Sequence, residues 1–402
     1  MRRGFPIVVV ALAAAVLGGA ASLLGAKATG TLDGPAKTVY LAEDSPGLNL
    51  DGGEPAGVSA RPLLGNGFAP ARIYAARSPG VVTIFAFFDE GDRHAAQGSG
   101  FVVSERGYIL TSAHVITNAG EASETSGASR VFVGFKDGDR IGAKIVGWDV
   151  YDDVGLLRVA PRAHALSPIP LGDSARVEAG DPVAAMGTPF GNEDSIAVGV
   201  VSAIHRSISS LTAGYKVVDA IQTDAPITHG NSGGPLFDAG GRVIGINAQI
   251  RSESGGAEGV GFAVPINAAW RSMRQLAATG RVVYAYMGVT TEDLTPTLAR
   301  HFGYAASRGA IVASVKKGSP ADDAGLRGGS GEETFNGLSV TRGGDVVVAI
   351  DGRPVSTADD VVRFVSGKLP GEVARLTIVR GEERRVVRVR LGSRSQAPET
   401  GR

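Results

Sequence analysis

One serine of this 402-residue chain lies where its neighbours could support nucleophilic chemistry. Residues 228–236 read THGNSGGPL, so glycine, asparagine and proline surround Ser232. Glycine accepts positive φ angles and lets a backbone approach a ligand closely, so this composition favours a tight turn. Backbone N–H groups that converge in such a turn, beside a serine hydroxyl, have the parts of a nucleophile with an oxyanion hole. A glycine-rich hairpin turn without chemistry is the alternative.

A serine nucleophile needs a base and a third group that orients the base. The chain has six histidines, and His114 lies in the segment LTSAHVI, just after a predicted strand. Asp153 precedes another predicted strand, where a half-buried carboxylate could hold an imidazole in one tautomer. Asp149 and Asp152 are rival candidates for that role. A histidine satisfied by local hydrogen bonds would fit the position of His114 equally well.

The elements that must position these residues are short strands. Runs 81–88, 131–135 and 141–146 are rich in β-branched residues, and the last two flank the turn KDGD. Many such strands with very little helix indicate an all-β barrel or sandwich. A helix follows residue 267, with Trp270, Met273, Leu276 and Ala277 on one face, and Gly280 ends it.

The ordered set of motifs resembles the chymotrypsin-type His, Asp, Ser arrangement and, more narrowly, the HtrA/Deg family of serine proteases. The matching stretches are QGSGFV (97–102), GYILTSAHVI (107–116), GTPFG (187–191), QTDA (222–225), GNSGGP (230–235), GIN (245–247) and GVGFAVP (259–265). The resemblance covers roughly residues 70–392. It implies a double β-barrel protease domain with His114, Asp153 and Ser232 as the catalytic triad.

The resemblance also implies where a substrate would bind. Gly230, Asn231 and Ser232 would form the oxyanion hole, with the N–H groups of Gly230 and Ser232 as donors. Ala225, Pro226 and Ile227 would line the specificity pocket together with Ile246, and the segment Ile246-Asn247-Ala248 would pair with substrate as an added strand. Position 226 is a proline, so a basic P1 residue would find no carboxylate there to pair with. We therefore expect small or medium aliphatic P1 residues. Thr228 and His229 depart from the Asn-Pro pair that the family usually has before the motif.

A second, mixed domain resembles an α+β PDZ domain. Tyr286, Met287, Gly288 and Val289 resemble its carboxylate-binding loop, and SPA (319–321), AGL (324–326) and GDVV (344–347) match later landmarks. The N–H groups of Met287, Gly288 and Val289 could cap a C-terminal carboxylate, while the peptide adds as a strand beside a helix starting near Thr357. An additional glycine-rich loop at 328–343 has no evident role.

Composition excludes several classes of protein. Formal net charge is zero, which does not suggest a nucleic-acid binder. The chain has no cysteine, so disulfides and cysteine-based nucleophiles or metal sites are ruled out. We expect no metal and no cofactor, and the lack of a P-loop argues against ATP.

The N-terminus predicts a targeting segment. Arg2 and Arg3 precede an apolar run to about Ala26, long enough for a hydrophobic helix that spans a bilayer, which takes roughly 20 residues. The motif AKA at 26–28 is alternatively a signal cleavage site. We expect an uncleaved single-pass anchor in the cell membrane with the catalytic part extracytoplasmic, or else a secreted or periplasmic protein after cleavage.

These patterns predict five segments: a signal or transmembrane anchor (1–28), a flexible linker (29–68), a trypsin-like serine protease domain (69–281), a PDZ domain (282–392) and a disordered tail (393–402). The expected function is an ATP-independent endopeptidase acting on unfolded or damaged extracytoplasmic proteins, whose PDZ domain binds substrate or regulatory C-termini. A non-proteolytic chaperone or peptide sensor, or a protease with one regulatory substrate, is the alternative. The resemblance implies a homotrimer.

Overall fold

The computed structural model describes residues 67–88, 95–119, 125–188, 195–209, 216–228, 230–248 and 260–395. The predicted hydrophobic N-terminal helix and nearly all of the predicted linker lie outside these ranges. Within them, no helix is long and apolar enough to cross a membrane.

The first half of the protease region closes into a six-stranded antiparallel barrel. A helix, α1 (Pro70–Arg77), precedes β1 (Val81–Phe87), β2 (Ala95–Val102), β3 (Tyr108–Thr111), β4 (Arg130–Gly134), β5 (Arg140–Asp149) and β6 (Val154–Val159). The barrel order is β1-β2-β3-β6-β5-β4, and the short helix α2 (Ala113–Ile116) follows β3. Ile84, Val133 and Leu157 fill its interior, because alternate strand residues point inward. His114 therefore lies at the rim, one turn beyond the end of β3.

A second six-stranded barrel follows. Its strands are β7 (Pro182–Gly187), β8 (Ser195–Ser209), β9 (Lys216–Thr223), β10 (Pro235–Phe237), β11 (Val243–Ala248) and β12 (Gly261–Pro265), closed in the order β10-β11-β12-β9-β8-β7. One apolar cluster joins the barrels: Phe101 and Leu110 of the first pack with Met186, Phe237 and Ile246 of the second. The prediction of a double β-barrel is confirmed.

The helix after the second barrel, α3 (Ile266–Thr279), ends at Gly280, whose φ of 73° lies in the left-handed region that favours glycine. Its buried face differs from the predicted one. Met273 and Leu276 are buried, whereas Trp270 is 42% exposed and Ala277 is also exposed. The helix buries residues at the three- and four-residue spacing of one face: Ile266, Ala269, Ser272, Met273 and Leu276.

The elements of the PDZ region are β13 (Val283–Tyr286), β14 (Val289–Leu294), α4 (Pro296–Phe302), β15 (Gly309–Val315), α5 (Pro320–Asp323), β16 (Gly329–Phe335), β17 (Leu338–Gly343), β18 (Val346–Ile350), β19 (Arg353–Pro354), α6 (Ala358–Ser366), β20 (Val373–Arg380), β21 (Glu383–Arg390) and β22 (Gly392–Ser395). They form a sheet in the order β14-β15-β18-β20-β21, with β14 at its edge and β19 paired with β18. Residues 393–395, placed in the tail by the sequence, continue β22, which pairs with β13.

The glycine-rich insertion at 328–343 is an ordered hairpin, not the loop that the sequence predicted. Strands β16 and β17 pair from Gly329↔Gly343 to Phe335↔Leu338. They are joined by Asn336 and Gly337, whose φ angles are 50° and 80°. Positive φ at both central residues defines the tight hairpin turn that Asn-Gly favours, so this dipeptide was the signal that the sequence analysis missed.

Candidate active site

His114 and Asp153 are joined by two hydrogen bonds at the rim of the first barrel. Oδ2 of Asp153 lies 2.7 Å from Nδ1 of His114, and Oδ1 accepts the backbone N–H of His114 at 2.9 Å. The carbonyl of Asp153 also accepts the N–H of Ala113 at 3.2 Å. The carboxylate thus fixes both the ring and the backbone of His114. This leaves Nε2 of the imidazole as the nitrogen able to serve a reacting group.

The environment favours a protonated imidazole at His114. Burial lowers its pKa, but the negative charge of Asp153 and the hydrogen bond to Asp153 both raise it, and the net pKa lies above the usual 6.5. This is the electrostatic effect expected of an aspartate that stabilises an imidazolium.

The rival carboxylates lie elsewhere. Asp149 is fully buried and accepts a hydrogen bond from Ser272 at 2.6 Å and one from Tyr284. Asp152 lies 3.7 Å from the guanidinium of Arg271. Of the three aspartates named as candidates, the structure pairs Asp153 with His114.

Ser232 lies where the two barrels meet. Its carbonyl oxygen accepts the N–H of Ser99 in β2 at 2.8 Å. The next residue, Gly233, has a φ of 83°, and a Cβ placed there would lie 2.3 Å from the carbonyl oxygen of Ser99 and 2.9 Å from the backbone nitrogen of Ser112. Only glycine lets the turn approach the segment before His114 so closely.

The hydroxyl of Ser232 is buried and has no hydrogen-bond partner among the described residues. His114 and Ser232 are therefore not hydrogen-bonded in this structure. Catalytic hydrogen bonds are often long or poorly aligned in unliganded enzymes and tighten when substrate binds. The structure brings the three residues to one junction and joins two of them.

The turn before Ser232 is held by the side chain of Asn231. Its Oδ1 accepts the N–H of Thr228 at 2.9 Å, and its Nδ2 donates to the carbonyl of Pro226 at 3.2 Å. Gly230 has a φ of 108°, which a glycine adopts without strain. His229 lies outside the described residues. The assignment of Gly230, Asn231 and Ser232 to an oxyanion hole stays a prediction.

Ser99 belongs to the QGSGFV motif and was not predicted to be a site residue, but the structure places it in the site. Its hydroxyl donates to the carbonyl oxygen of Gly230 at 2.5 Å and accepts the N–H of Thr188 at 2.9 Å. Its own carbonyl accepts a 2.6 Å hydrogen bond from the hydroxyl of Thr111. Ser99 thereby connects the first barrel with two segments of the second. A small buried hydroxyl between two glycines in a strand is a weak signal, since it also suits ordinary packing.

The predicted specificity segment packs against the second barrel. Ala225 is fully buried, Pro226 is exposed and Ile227 is half-buried. A Cβ placed on Gly261 would lie 2.9 Å from both the carbonyl oxygen of Ala225 and a side-chain carbon of Ile227. Ile246 is fully buried in the core that joins the barrels.

The predicted substrate-pairing strand is partly engaged within the barrel. The N–H of Asn247 donates to the carbonyl of Gly234, and its carbonyl accepts the N–H of Gly233, both at 2.8 Å. Ala248, the last residue of β11, is paired with Phe262 of β12. Pairing of this segment with a substrate remains a prediction.

The predicted carboxylate-binding loop lies between β13 and β14. Gly288 has a φ of 86°, and a Cβ there would lie 2.3 Å from Cβ of Ser319. Its carbonyl accepts the N–H of Lys316 at 2.9 Å, and that of Met287 accepts the N–H of Ala321 at 2.9 Å. Tyr286 pairs with Gly392, and Val289 begins the edge strand β14. The carbonyls of Met287 and Gly288 are thus both bonded within the PDZ region, and binding of a carboxylate by this loop stays a prediction.

Comparisons with known proteins agree with this geometry. Residues 98–246 match the trypsin-like peptidase domain family, and residues 285–391 match the PDZ domain family. The solved structure of the HtrA-type protease AlgW with tripeptide is 31% identical, has a TM-score of 0.66, and aligns over 83% of this chain and 100% of that one. The chain belongs to the HtrA/Deg family of serine proteases.

Two relatives are named as probable periplasmic serine endoprotease DegP-like. The one from Hahella chejuensis (strain KCTC 2396) is 39% identical over 295 residues, which are 73% of this chain and 56% of the relative. That from Ectopseudomonas mendocina (strain ymp) is 37% identical over 304 residues, 76% of this chain and 57% of the relative. This HtrA/Deg chain therefore spans somewhat more than half the length of the curated relatives it matches.

Proposed function

We propose that this chain is a serine endopeptidase that cleaves unfolded or damaged extracytoplasmic proteins without ATP. The proposal rests on one observation: both carboxylate oxygens of Asp153 are hydrogen-bonded to His114, beside the turn that contains Ser232. Membership of the HtrA/Deg family supports the same reading.

In the proposed mechanism, the hydroxyl oxygen of Ser232 attacks the carbonyl carbon of a peptide bond. Nε2 of His114 takes the hydroxyl proton, and Asp153 stabilises the resulting imidazolium. When the tetrahedral intermediate collapses, His114 gives the proton to the leaving amine. A water molecule then hydrolyses the acyl-enzyme with the same proton transfers, and Ser232 is restored.

Backbone N–H groups of Gly230 and Ser232 would stabilise the oxyanion of the tetrahedral intermediate. Loss of one such donor costs about 2.7–4 kcal/mol of transition-state stabilisation. Because the hydroxyl of Ser232 has no hydrogen-bond partner within the described residues, we infer that substrate binding completes its contact with His114.

The PDZ region would bind the C-terminus of a peptide. Strand β14 is an edge strand, and α6 contacts it, so a peptide could add as a further strand between them. The N–H groups of Met287, Gly288 and Val289 would hold the terminal carboxylate. Such a site recognises C-termini that become exposed when a protein unfolds or is cut.

We further propose that the protein acts outside the cytoplasm, in line with the names of its periplasmic relatives. The N-terminal segment 1–28 would anchor it to the membrane, or be cleaved as a signal. A homotrimer is the assembly that we expect from the family, and light scattering on the purified chain measures it.

Digestion of casein, an unfolded protein substrate, tests the proposed activity. The wild type should degrade it, and Ser232→Ala should not. Ser129→Ala is a matched control, since Ser129 is an exposed serine whose hydroxyl donates to the carbonyl of Phe87, away from the proposed site. Undiminished cleavage by Ser232→Ala would refute the mechanism. No cleavage by the wild type, with aggregation of casein still suppressed, would favour a chaperone function instead.

A further inference from the structure

A second buried carboxylate, which the proposed mechanism does not use, lies at the end of β5, just before the loop that carries Asp153. Asp149 is fully buried. Its Oδ1 accepts the backbone N–H groups of Tyr151 at 3.0 Å and Asp152 at 3.3 Å. Its Oδ2 accepts the hydroxyls of Ser272 and Tyr284. Two of these four donors are backbone N–H groups of the loop that leads directly to Asp153, so the carboxylate ties that loop to Ser272 and Tyr284.

The backbone at Asp153 needs such support. Its φ of 52° lies in the left-handed region, which a non-glycine residue adopts only at some cost. Both carboxylate oxygens of Asp153 must also point at His114. A conformation of this kind persists when neighbouring contacts over-determine it, and the bonds from Asp149 to the two residues before Asp153 supply those contacts.

One donor to Asp149 comes from the chain that leads into the PDZ region. Tyr284 lies on β13, which pairs with β22, the strand that follows the last PDZ sheet strand. We call β13 and β22 the linker sheet, because they form the connections into and out of the PDZ sheet. Both strands touch the loop: the Tyr284 ring packs edge-on against Tyr151 at 5.2 Å between centroids, and the guanidinium of Arg394 lies 5.5 Å from the Tyr151 centroid.

We propose that Asp149 is a positioning residue for the His114–Asp153 pair, and that Tyr284 makes this positioning depend on the linker sheet. The inference rests on the proposed function. A hydrogen-bonded path runs from the Tyr284 hydroxyl through the Asp149 carboxylate and the loop N–H groups to Asp153 and His114. A displacement of the linker sheet would withdraw one donor from Asp149 and loosen the loop that aims Asp153.

The hydrogen bond from Tyr284 matters because the carboxyl group that accepts it, Asp149, is buried beside another negative charge. Burial raises the pKa of Asp149 to about 7, with the negative charge of Asp152 adding to the effect, while the hydrogen bonds from Ser272 and Tyr284 oppose it. The guanidinium of Arg271 lies 3.7 Å from Asp152, and the negative charge of Asp219 also acts on Asp152. A buried carboxylate that loses a donor is left with an unsatisfied oxygen, so the loop would rearrange to find another partner.

The test compares two tyrosine hydroxyls in the full chain. Tyr284→Phe removes the donor to Asp149. Tyr304→Phe is the matched control, since it removes a hydroxyl that donates at 2.9 Å to the carbonyl of Gly343 within the PDZ region. Rates on labelled casein should show kcat lowered about fivefold or more for Tyr284→Phe, with KM changed less than about twofold, and no change for Tyr304→Phe.

Asp149→Asn and Asp149→Ala provide a second measurement. The asparagine keeps an oxygen that can accept the two loop N–H groups, so it should retain more kcat than the alanine. Every rate is taken at a temperature where thermal scans show all the variants fully folded.

The possible failures are distinguishable. A wild type inactive on casein overturns the proposed function. An active wild type with equal kcat for Tyr284→Phe and Tyr304→Phe overturns the positioning inference alone. So does a kcat of Asp149→Ala equal to that of the wild type at the temperature where both are fully folded, because Asp149 would then only stabilise the fold.

Discussion

The hydroxyl of Ser99, in the first barrel, donates a 2.5 Å hydrogen bond to the carbonyl oxygen of Gly230, two residues before Ser232. The backbone N–H of Ser99 donates to the carbonyl of Ser232 at 2.8 Å. One residue therefore holds both ends of the segment 230–232 against the barrel that carries His114. This contact sets the relative position of the proposed nucleophile and its base.

Ser99→Ala should lower both stability and activity. The change leaves the carbonyl of Gly230 and the N–H of Thr188 without the hydroxyl they share, and each unsatisfied buried group costs about 1–3 kcal/mol. Urea denaturation measures the loss of stability, and casein digestion measures the loss of activity. Ser129→Ala removes an exposed hydroxyl bond and should stay within about 0.5 kcal/mol of the wild type. Equal stability of the two variants would contradict the role of Ser99.

The rise of kcat/KM on the acid side of its pH profile should follow the deprotonation of His114. Since the base must be neutral and its pKa is raised by Asp153, kcat/KM should rise with pH through a midpoint above 6.5. Asp153→Asn removes the negative charge and should move that midpoint to lower pH, along with a large fall in rate. A midpoint that stays in place in the variant would show that the rise belongs to another group.

Asp149 makes a separate prediction about stability. Its pKa is raised in the folded chain to about 7, so its ionisation destabilises the fold as pH rises from about 4 to about 7 and adds nothing further above that. Asp149→Asn lacks this effect. The unfolding free energy of the variant, relative to the wild type, should therefore increase across that window, by up to about 4 kcal/mol. A difference that is independent of pH would show that the pKa is not raised.

The proposed carboxylate loop is tested by two glycines with similar φ angles. A Cβ placed on Gly288 (φ 86°) would lie 2.3 Å from Cβ of Ser319, whereas one placed on Gly318 (φ 70°) would meet no described atom within 4 Å. Calorimetry with a peptide bearing a free C-terminal carboxylate should show at least tenfold weaker binding for Gly288→Ala, about 1.4 kcal/mol, and little change for Gly318→Ala. Equal affinities in both variants would place the peptide site elsewhere.

Strands and chemistry-bearing motifs are local patterns, so the sequence predicted an all-β barrel or sandwich and the three candidate residues, while the double barrel was implied by the family resemblance. Which aspartate orients His114 was not decided by the residues alone, since Asp149, Asp152 and Asp153 all precede the same strand. Only the three-dimensional structure shows that Asp153, with a positive φ, has its carboxylate against His114. The carboxylate of Asp149 instead accepts a hydrogen bond from Ser272.

Other features depend on contacts between distant segments. Ser99 sits in an ordinary-looking strand, and its role comes from residues 89 and 131 positions away. Tyr284 acquires a role because the linker sheet packs on a loop 135 residues earlier in the chain. The Asn336-Gly337 hairpin, by contrast, was predictable from two adjacent residues.

Covalent labelling tests the central claim most directly. A fluorophosphonate reacts with a serine hydroxyl that a neighbouring base activates, and mass spectrometry of the digested protein identifies the modified residue. We predict that Ser232 carries the label in the wild type and that His114→Ala abolishes the labelling. A label on a different serine, or labelling of Ser232 that is unchanged in His114→Ala, would contradict the assignment of Ser232 as the nucleophile and His114 as its base.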